Sequence, residues 1–323
     1  MKKAYAFTVA MAAFASAFVL AVPAQAQTKV KIAYLRASQL VTHWHAEKLG
    51  LFKKEGLETE IINVNNGPAV AAAVASGSAD VGWAGAVPIV YARAQNQPFK
   101  VFIAAGMESS DNWAVFIVAS GRSGVKTIAD LKGKTFVMNA VGAVCELQMR
   151  SHFKKAGIAF EDVKTIIAPF PQMLPNLELG NGDAACPIEP FVTQMRLGGK
   201  VNPVILARGN VPDMAEKKIV IPADAYFATE TWLGKNPQAA AGLLRAMVAA
   251  NKDLSTDMSK YRQYLMDEFK MPKDQAEGVE IFMNRGDQAP RVAQWQVLID
   301  AMTEVGMMKQ PIRAADIVFE HKN

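Results

Sequence analysis

The chain has 323 residues, of which 35 are basic and 30 acidic, so its formal net charge is +5. A balance this close to neutral excludes the strongly basic class of nucleic-acid-binding proteins. The length exceeds that of an ordinary single domain, and two cysteines cannot form the disulfide framework of a small secreted domain. We therefore expect two lobes, each stabilised by its own packed core.

The first 26 residues have the pattern of a cleavable secretory signal. Two lysines precede an apolar run that ends at Leu20, and the segment Ala24-Gln25-Ala26 has the small residues of a cleavage site. Pro23 breaks the apolar run and favours cleavage over a membrane anchor. No cysteine lies near the cleavage point to carry a lipid. The sequence therefore predicts export as a free protein that begins at Gln27 and carries 33 basic and 30 acidic residues.

Short strand patterns alternate with amphipathic helix patterns over the first half of the exported chain. The first elements in chain order are the strand KVKIAYL (29–35), the helix THWHAEKLGLFKKEG (42–56), the strand LETEIINV (57–64), the helix GPAVAAAVASG (67–77) and the strand ADVGW (79–83). This alternation continues to residue 182 and predicts parallel or mixed sheets with helices on both faces. From Pro237 onward the pattern is mainly helical.

The stretch SADVGWAGAVP (78–88) places one large ring, Trp83, beside three small residues and a proline. Bare backbone beside a flat ring is typical of a loop that contacts a ligand, although Trp83 could instead fill the core. A second stretch, GNGDAACPIEP (180–190), has the same order of glycine, aspartate, short strand and proline. Trp83 and Cys186 each lie three residues after the aspartate. We therefore expect two equivalent βα halves whose loops face a shared cleft.

Six segments in this order carry a resemblance to a known family: KIAYL, EKLGLFKKEGLE, ASGSADVGWAGAVP, TIADLKGKTFVM, LELGNGDAACPIEPF and KKIVIPADAYFATETWLGKNP. The chain resembles the nitrate/sulfonate/taurine group of bacterial solute-binding proteins over essentially its whole exported length. The resemblance implies an α/β fold of the two-lobe type II periplasmic-binding kind, with mixed sheets and a helical C-terminal tail. The chain crosses between lobes twice in that family, which implies one lobe of residues 28–112 plus 213–323 and a second of residues 113–212.

The same resemblance implies a function. The chain is expected to be the periplasmic component of an ABC importer, without catalytic residues, cofactor or metal. It would act as a monomer that delivers a small solute to a permease and its ATPase in the inner membrane. The expected ligand is taurine-like, alkanesulfonate-like, or another zwitterionic or aromatic small acid. The second-lobe segment AVGAVCEL lacks the hydroxyl side chains that anion binders of the family tend to place there, so the identity of the ligand stays open.

Candidate ligand-binding residues follow from their positions in this pattern. In the first lobe they are Ser38, His43, Trp44, Trp83, Ala84, Gly85, Glu108, Asp111 and Asn112, and in the second lobe Gly142, Ala143, Val144, Phe170 and Glu189. The paired loops single out Trp83 and Glu189, which we expect to contact the ligand from opposite lobes when the cleft closes. Each of the other residues has an alternative interpretation as a core or surface side chain.

Two other functional classes stay open at this point. His43 and Asp111 could form the catalytic pair of a periplasmic hydrolase, because such residues are brought together only by folding. The chain could also present its ligand to a membrane receptor as a sensory partner. A metal site is not expected, because His43 and His45 diverge around a helix. Cys145 and Cys186 are a candidate disulfide in the second lobe, with buried free thiols as the alternative.

Overall fold

The computed structural model describes residues 27–284, 286–310 and 312–321. The predicted signal segment lies outside the described residues. Ten strands form two five-stranded sheets. In chain order they are β1 (Thr28–Leu35), β2 (Leu57–Val64), β3 (Val81–Gly85), β4 (Phe99–Glu108), β5 (Phe116–Ala119), β6 (Thr135–Met138), β7 (Lys164–Ile167), β8 (Ala184–Ala185), β9 (Val204–Arg208) and β10 (Ile221–Thr229).

Helices connect the strands and form most of the chain after β10. They are α1 (Leu40–Lys48), α2 (Leu51–Lys54), α3 (Gly67–Ala75), α4 (Ala86–Ala94), α5 (Val144–Ala156), α6 (Phe170–Glu178), α7 (Phe191–Leu197), α8 (Glu230–Lys235), α9 (Pro237–Thr256), α10 (Met258–Phe269), α11 (Lys273–Gly278) and α12 (Val292–Glu304). The predicted α/β class with mixed sheets and a helical C-terminal segment is confirmed. Among the described residues, no helix combines the length and the apolar character needed to cross a membrane.

The two sheets have the same topology. The first has the strand order β2-β1-β3-β10-β4 and the second the order β7-β6-β8-β5-β9. In each sheet the first three strands of this order are parallel to one another, the fourth is antiparallel to the third, and the fifth is antiparallel to the fourth. The chain leaves the first sheet after β4 and returns to it at β10, so two segments connect the sheets.

The repeated aspartate loops have equivalent contacts in the two sheets. Asp80 precedes β3, and its carboxylate accepts a hydrogen bond from the amide of Lys31 in β1 at 2.9 Å. Asp183 precedes β8, and its carboxylate accepts from the amide of Thr135 in β6 at 2.8 Å. Each aspartate also donates its own amide to the carbonyl of the same partner residue. The two halves that the sequence pattern predicted therefore share the same strand connection.

The region predicted as one helix over residues 42–56 is two helices. Gly50, between α1 and α2, has φ of 65°. This left-handed conformation ends α1 and is adopted readily by glycine because it has no Cβ. The sequence pattern did not show the break, and it did not show that α1 buries His43 and His45 whereas Leu49, directly after it, is exposed.

The structure contains the Cys145–Cys186 disulfide, with the two Cα atoms 5.6 Å apart. Cys145 lies in the first turn of α5 and Cys186 directly follows β8, and both side chains are buried. The bond therefore joins the start of a helix to the end of a strand in the second half. Of the two states that the sequence left open, the structure has the disulfide.

Candidate functional site

A cavity of about 40 Å³ lies between the two sheets. It is bordered by the carboxyl ends of β1, β3 and β6, which is where ligands bind in open α/β sheets. The first residues of helices α3, α5 and α6 also line the cavity, and α4 begins directly after the lining residue Gly85. The lining residues are Leu35, Gln39, Gly67, Trp83, Gly85, Pro88, Ala114, Val115, Asn139, Ala143, Val144, Phe170, Ile188, Ala223 and Asp224. Both halves of the molecule therefore contribute to one cavity.

Trp83 both packs in the core and borders this cavity. Its ring stacks on the ring of Tyr34, with centroids 4.2 Å apart and planes 7° from parallel. Its indole nitrogen donates a hydrogen bond to Oδ1 of Asp224 at 3.0 Å. The side chain is 3% exposed. The sequence suggested that Trp83 either lines a ligand site or fills the core. In the structure it does both, because one face of its ring packs on Tyr34 of β1 and the side chain also lines the cavity.

Asp224 is a buried acid in the middle of the first sheet. It pairs with Gly85 of β3 on one side and with Gly106 of β4 on the other. Burial raises the pKa of the Asp224 carboxyl to about 7, the hydrogen bond from Trp83 opposes this shift, and the nearby Glu108 charge adds to it. A Cβ atom at position 106 would collide with the Asp224 carboxylate. Glycine at 106 therefore makes the room in which this carboxyl sits.

A second cavity, of about 20 Å³, lies against the same acid. It shares Gln39, Trp83 and Asp224 with the first cavity, and its other polar lining groups include Asn284 and Gln288. Within the described residues, the side-chain oxygens of Gln39, Asn139 and Gln288 are buried without a hydrogen-bond partner. Buried polar atoms are ordinarily paired, so these oxygens lack a partner that a rearranged or ligand-bound site would supply.

Five of the predicted ligand-binding residues line the first cavity, namely Trp83, Gly85, Ala143, Val144 and Phe170. Their neighbours Ala84 and Gly142 do not. Ala84 is packed in the core of the first half, and the amide of Gly142 donates to the Glu146 carboxylate at 2.8 Å.

Ser38 and Glu189 connect the two halves instead of lining the cavity. The amide of Ser38 donates to the carbonyl of Glu189 at 3.4 Å. The Glu189 carboxylate accepts from the Thr193 hydroxyl at 2.8 Å and from the Glu280 amide at 3.1 Å. Burial raises the pKa of Glu189 to about 7, although these hydrogen bonds oppose the shift. Glu189 thus holds the start of α7 against the segment after α11, and all its carboxylate contacts are internal.

Glu108 has a similar role at the two connecting segments. Its carboxylate accepts from the Ala114 amide at 2.9 Å on the first connection. It also accepts from the amide and the side chain of Asn210 on the second, at 2.9 and 2.8 Å. Burial raises the pKa of Glu108, and the Asn210 and Ala114 hydrogen bonds lower it. Asp111 is exposed and accepts from Ser109, while Asn112 donates to the carbonyls of Met107 and Met283.

His43 and Trp44 lie away from the cavity lining. The imidazole of His43 is buried beside the ring of Phe52, and burial lowers its pKa to about 3, so the ring is neutral at physiological pH. Within the described residues its nitrogens have no hydrogen-bond partner, so it forms no pair with Asp111. Trp44 packs near Tyr264 and Phe269 of α10.

The sequence analysis missed ten of the cavity residues, and Asp224 is the most important of them. The signal was present, because an aspartate stands inside the apolar run IVIPADAYFA, and an acid in a buried strand is costly unless it is hydrogen-bonded. The others are Leu35, Gln39, Gly67, Pro88, Ala114, Val115, Asn139, Ile188 and Ala223. The apolar members among these carried no signal that separates a cavity wall from a core position.

A larger groove, of about 670 Å³, lies among α1, α10, α11 and the last turns of α9. Its lining comes from residues 45–49 and 253–277, so the second sheet contributes nothing to it. Its acid Asp253 already accepts from His45 at 2.7 Å and from Lys260 at 2.8 Å. The smaller cavity is therefore the better candidate. Across the part of the chain that the structure describes, no three His, Cys, Asp or Glu side chains are grouped to hold a metal ion.

Comparison with known proteins gives the family. A family model described as NMT1/THI5 like matches residues 38–257, which is more than half of the chain. The chain belongs to this family. The nitrate/nitrite binding protein NrtA of Nostoc sp. (strain PCC 7120) is 24% identical to this family member over 244 residues, which are 70% of this chain and 53% of that protein. An aliphatic sulfonates-binding protein of Escherichia coli (strain K12) is 27% identical over 135 residues, 42% of this chain and 41% of that protein.

The chain spans about half the length of the curated relatives it matches. Among solved structures, the alkanesulfonate-binding protein SsuA of Xanthomonas axonopodis pv. citri, bound to MOPS, superposes with a TM-score of 0.77 at 17% identity. The superposition covers 91% of this chain and 99% of that chain. The predicted resemblance to nitrate- and sulfonate-binding proteins is confirmed, and this family member has the predicted periplasmic-binding-protein fold.

Proposed function

We propose that the protein is the periplasmic solute-binding component of an ABC importer and that it binds a small organic solute in the cavity between the sheets. The observation that carries the proposal is that one cavity is lined from the carboxyl ends of both sheets. The relatives named for nitrate and sulfonate binding support the same class of function. The partners would be a permease and its ATPase in the inner membrane, to which a monomer delivers the solute.

The proposed mechanism is closure of two lobes, residues 28–112 plus 213–323 and residues 113–212, around the ligand. A pocket for a drug-sized ligand usually measures several hundred Å³, whereas this cavity measures about 40 Å³. A solute larger than a few water molecules can enter only when the lobes move apart. Ligand contacts from both lobes would then favour the closed arrangement, since a ligand shifts an equilibrium only through differential affinity.

The geometry favours binding over hydrolysis. His43, the predicted base of a hydrolase, is buried against Phe52, and Asp111 is occupied by Ser109 at the surface. Neither residue lines the cavity. The test is to purify the protein under native conditions, unfold it and identify the released small molecule by mass spectrometry. A binding protein returns its ligand unchanged, whereas the release of a cleaved product would contradict the proposal.

Gly85 offers a variant that fills the cavity without strain. A Cβ there would lie 3.6 Å from the Ala223 carbonyl oxygen and 3.9 Å from the Val144 Cβ, which are ordinary contacts. We expect Gly85→Ala to keep the melting temperature and to weaken ligand binding about tenfold or more, because an inserted methyl group in a packed site costs about 1 to 3 kcal/mol. The matched control is Gly234→Ala, at an exposed glycine of α8 with no atom within 4 Å of the added Cβ. Equal ligand retention by the two variants would contradict the site.

A further inference from the structure

The polar groups that line the two cavities are one carboxyl, that of Asp224, together with side-chain amides, hydroxyls and the Trp83 indole; they are Gln39, Asn139, Asn251, Asn284, Gln288, Tyr34, Thr42 and Tyr226 besides Asp224 and Trp83. Asp224 lines both cavities, and its Oδ1 has the Trp83 indole as its only side-chain donor among the described residues. The oxygens of Gln39 and Asn139 are buried there without partners, again within the described residues. An amide group can turn to present either its oxygen or its nitrogen, whereas an ionised carboxylate only accepts. Asp224 is therefore the group that fixes the chemistry of a bound molecule.

Positive charge is missing from the walls. Among the described residues that line the two cavities, none is lysine, arginine or histidine. An anion in this space would meet a buried acid and no cationic side chain. The cost of such an arrangement is high because charges interact strongly where water is excluded.

The helices that begin at the cavity supply fewer amide donors than their number suggests. The α3, α4 and α6 helices carry Pro68, Pro88 and Pro171 within their first three residues, and each proline removes one amide donor. In α3, the Ala69 amide already donates to the Asn66 side chain at 2.9 Å. The amide of Gly142, just before α5, is occupied by Glu146. An anion would thus find little of the usual helix N-terminal stabilisation.

We infer that the ligand of this cavity is a small organic amine or amidine whose N–H groups donate hydrogen bonds to Asp224 and to the free amide oxygens, and that inorganic anions and simple sulfonates are disfavoured. The inference rests on the proposed function, since it names the ligand class of the same site. The aromatic wall formed by Trp83 and Phe170 suits the apolar part of such a molecule and attracts its positive charge.

The test compares matched probes of opposite charge. Benzamidine is compared with benzoate, butylamine with propanesulfonate, and nitrate is included as an inorganic anion. Binding is followed by the melting temperature and by tryptophan emission, at pH 5.5 and pH 8. At pH 8, where Asp224 is ionised, we expect each amine or amidine to bind at least tenfold more tightly than its anionic counterpart, because a charge-assisted hydrogen bond replaces a repulsion.

The variant Asp224→Asn removes the charge and keeps an acceptor for Trp83. We expect it to weaken benzamidine binding about tenfold or more at pH 8 and to abolish the preference over benzoate. The matched control is Asp253→Asn, which removes the same charge from the larger groove and should leave the preference unchanged. Binding of benzamidine to the unaltered protein should strengthen from pH 5.5 to pH 8, as Asp224 ionises. Glu108 is the titratable group whose charge raises the pKa of Asp224. Because burial raises the pKa of Glu108 as well, the same pH series on Asp224→Asn measures the part of the change that Glu108 causes. The hydroxyls of Tyr34, Tyr226 and Tyr261, whose pKa values are raised, are neutral at both pH values.

The inference is overturned if benzoate, propanesulfonate or nitrate binds as well as the amines do. It is also overturned if the two probes of each pair give the same change in melting temperature and tryptophan emission, including no change for either probe. Gly85→Ala separates this failure from a failure of the proposed function. Anion binding that Gly85→Ala weakens would leave the inter-sheet site in place and refute only the ligand class. Binding of any probe that is as tight in Gly85→Ala as in the unaltered protein would refute the site itself.

Discussion

Asp80 in the first half and Asp183 in the second each bond to an amide of the neighbouring parallel strand. Three residues further on, the two halves differ. Trp83 stacks on Tyr34 and lines the cavity, whereas Cys186 is bonded to Cys145 and buried in the core. The same strand connection thus supplies part of the cavity lining in one half and a disulfide in the other. Equivalent backbone positions carry different functions because the side chain, and not the connection, decides what the loop does.

The largest expected effect concerns the disulfide of the second half. Reduction of the Cys145–Cys186 bond, which spans 41 residues, should lower the free energy of unfolding by about 4 kcal/mol in the chain-entropy model. The measurement is urea unfolding with and without a thiol reductant. The double variant Cys145→Ala/Cys186→Ala should match the reduced protein and show no further response to reductant. An unchanged free energy of unfolding would mean that the disulfide does not contribute to the stability of the protein.

The second expected effect compares one buried acid in each half. The pKa of Asp224 and the pKa of Glu189 are both raised to about 7 by burial. The folded state then keeps protons that the unfolded state releases above its ordinary carboxyl pKa of about 4. Without ligand, the free energy of unfolding should therefore fall as the pH rises from about 4 to 7, by up to about 1.4 kcal/mol per pH unit for each acid.

Asp224→Asn and Glu189→Gln should each flatten part of this slope, as measured by urea unfolding at pH 5, 6, 7 and 8. Glu108, whose pKa burial also raises, stays in both variants, so the differences belong to the substituted acids. A ligand amine should restore stability at pH 8 only where Asp224 is present. If the ligand stabilised Asp224→Asn and Glu189→Gln equally, Asp224 would have no special role in ligand binding compared with Glu189.

The smallest expected effect tests the equivalence of the two loops directly. Asp80→Ala and Asp183→Ala each remove one hydrogen bond to a strand amide. We expect each to lower the free energy of unfolding by about 1 to 2 kcal/mol, since an amide loses its partner. Thermal unfolding of both variants measures this. A loss confined to one variant would show that the shared connection is stabilising in only one half.

The sequence predicted the parts of this molecule that depend on local patterns. The alternation of strands and helices and the two aspartate loops followed from neighbouring residues, and so did Trp83, Gly85 and Phe170 as cavity residues. What it did not predict depends on pairing between distant segments. Asp224 reaches Trp83 across 141 positions of chain, and no local pattern shows that an acid in one strand will border a loop so far away.

Two acids and one histidine that were expected to bind ligand also depend on pairing between distant segments that the sequence did not show. Glu108 and Glu189 stand where a ligand acid would stand in the sequence, but the fold surrounds each carboxylate with internal amide donors. His43 follows the first strand as a pocket residue would, yet it faces Phe52 in the core. Polarity in a sequence identifies groups that need a partner, and only the fold determines whether that partner is internal.

Glu108 has a consequence for how the two halves can move. One carboxylate accepts hydrogen bonds from the first connecting segment, at Ala114, and from the second, at Asn210. Two independent connections would allow the sheets to twist, slide and tilt separately. If the lobes move as proposed, the two connections are held together at Glu108, which restricts separate movement of either one. The proposed closure would then have fewer possible end points, so the residues that line the cavity would meet in fewer arrangements.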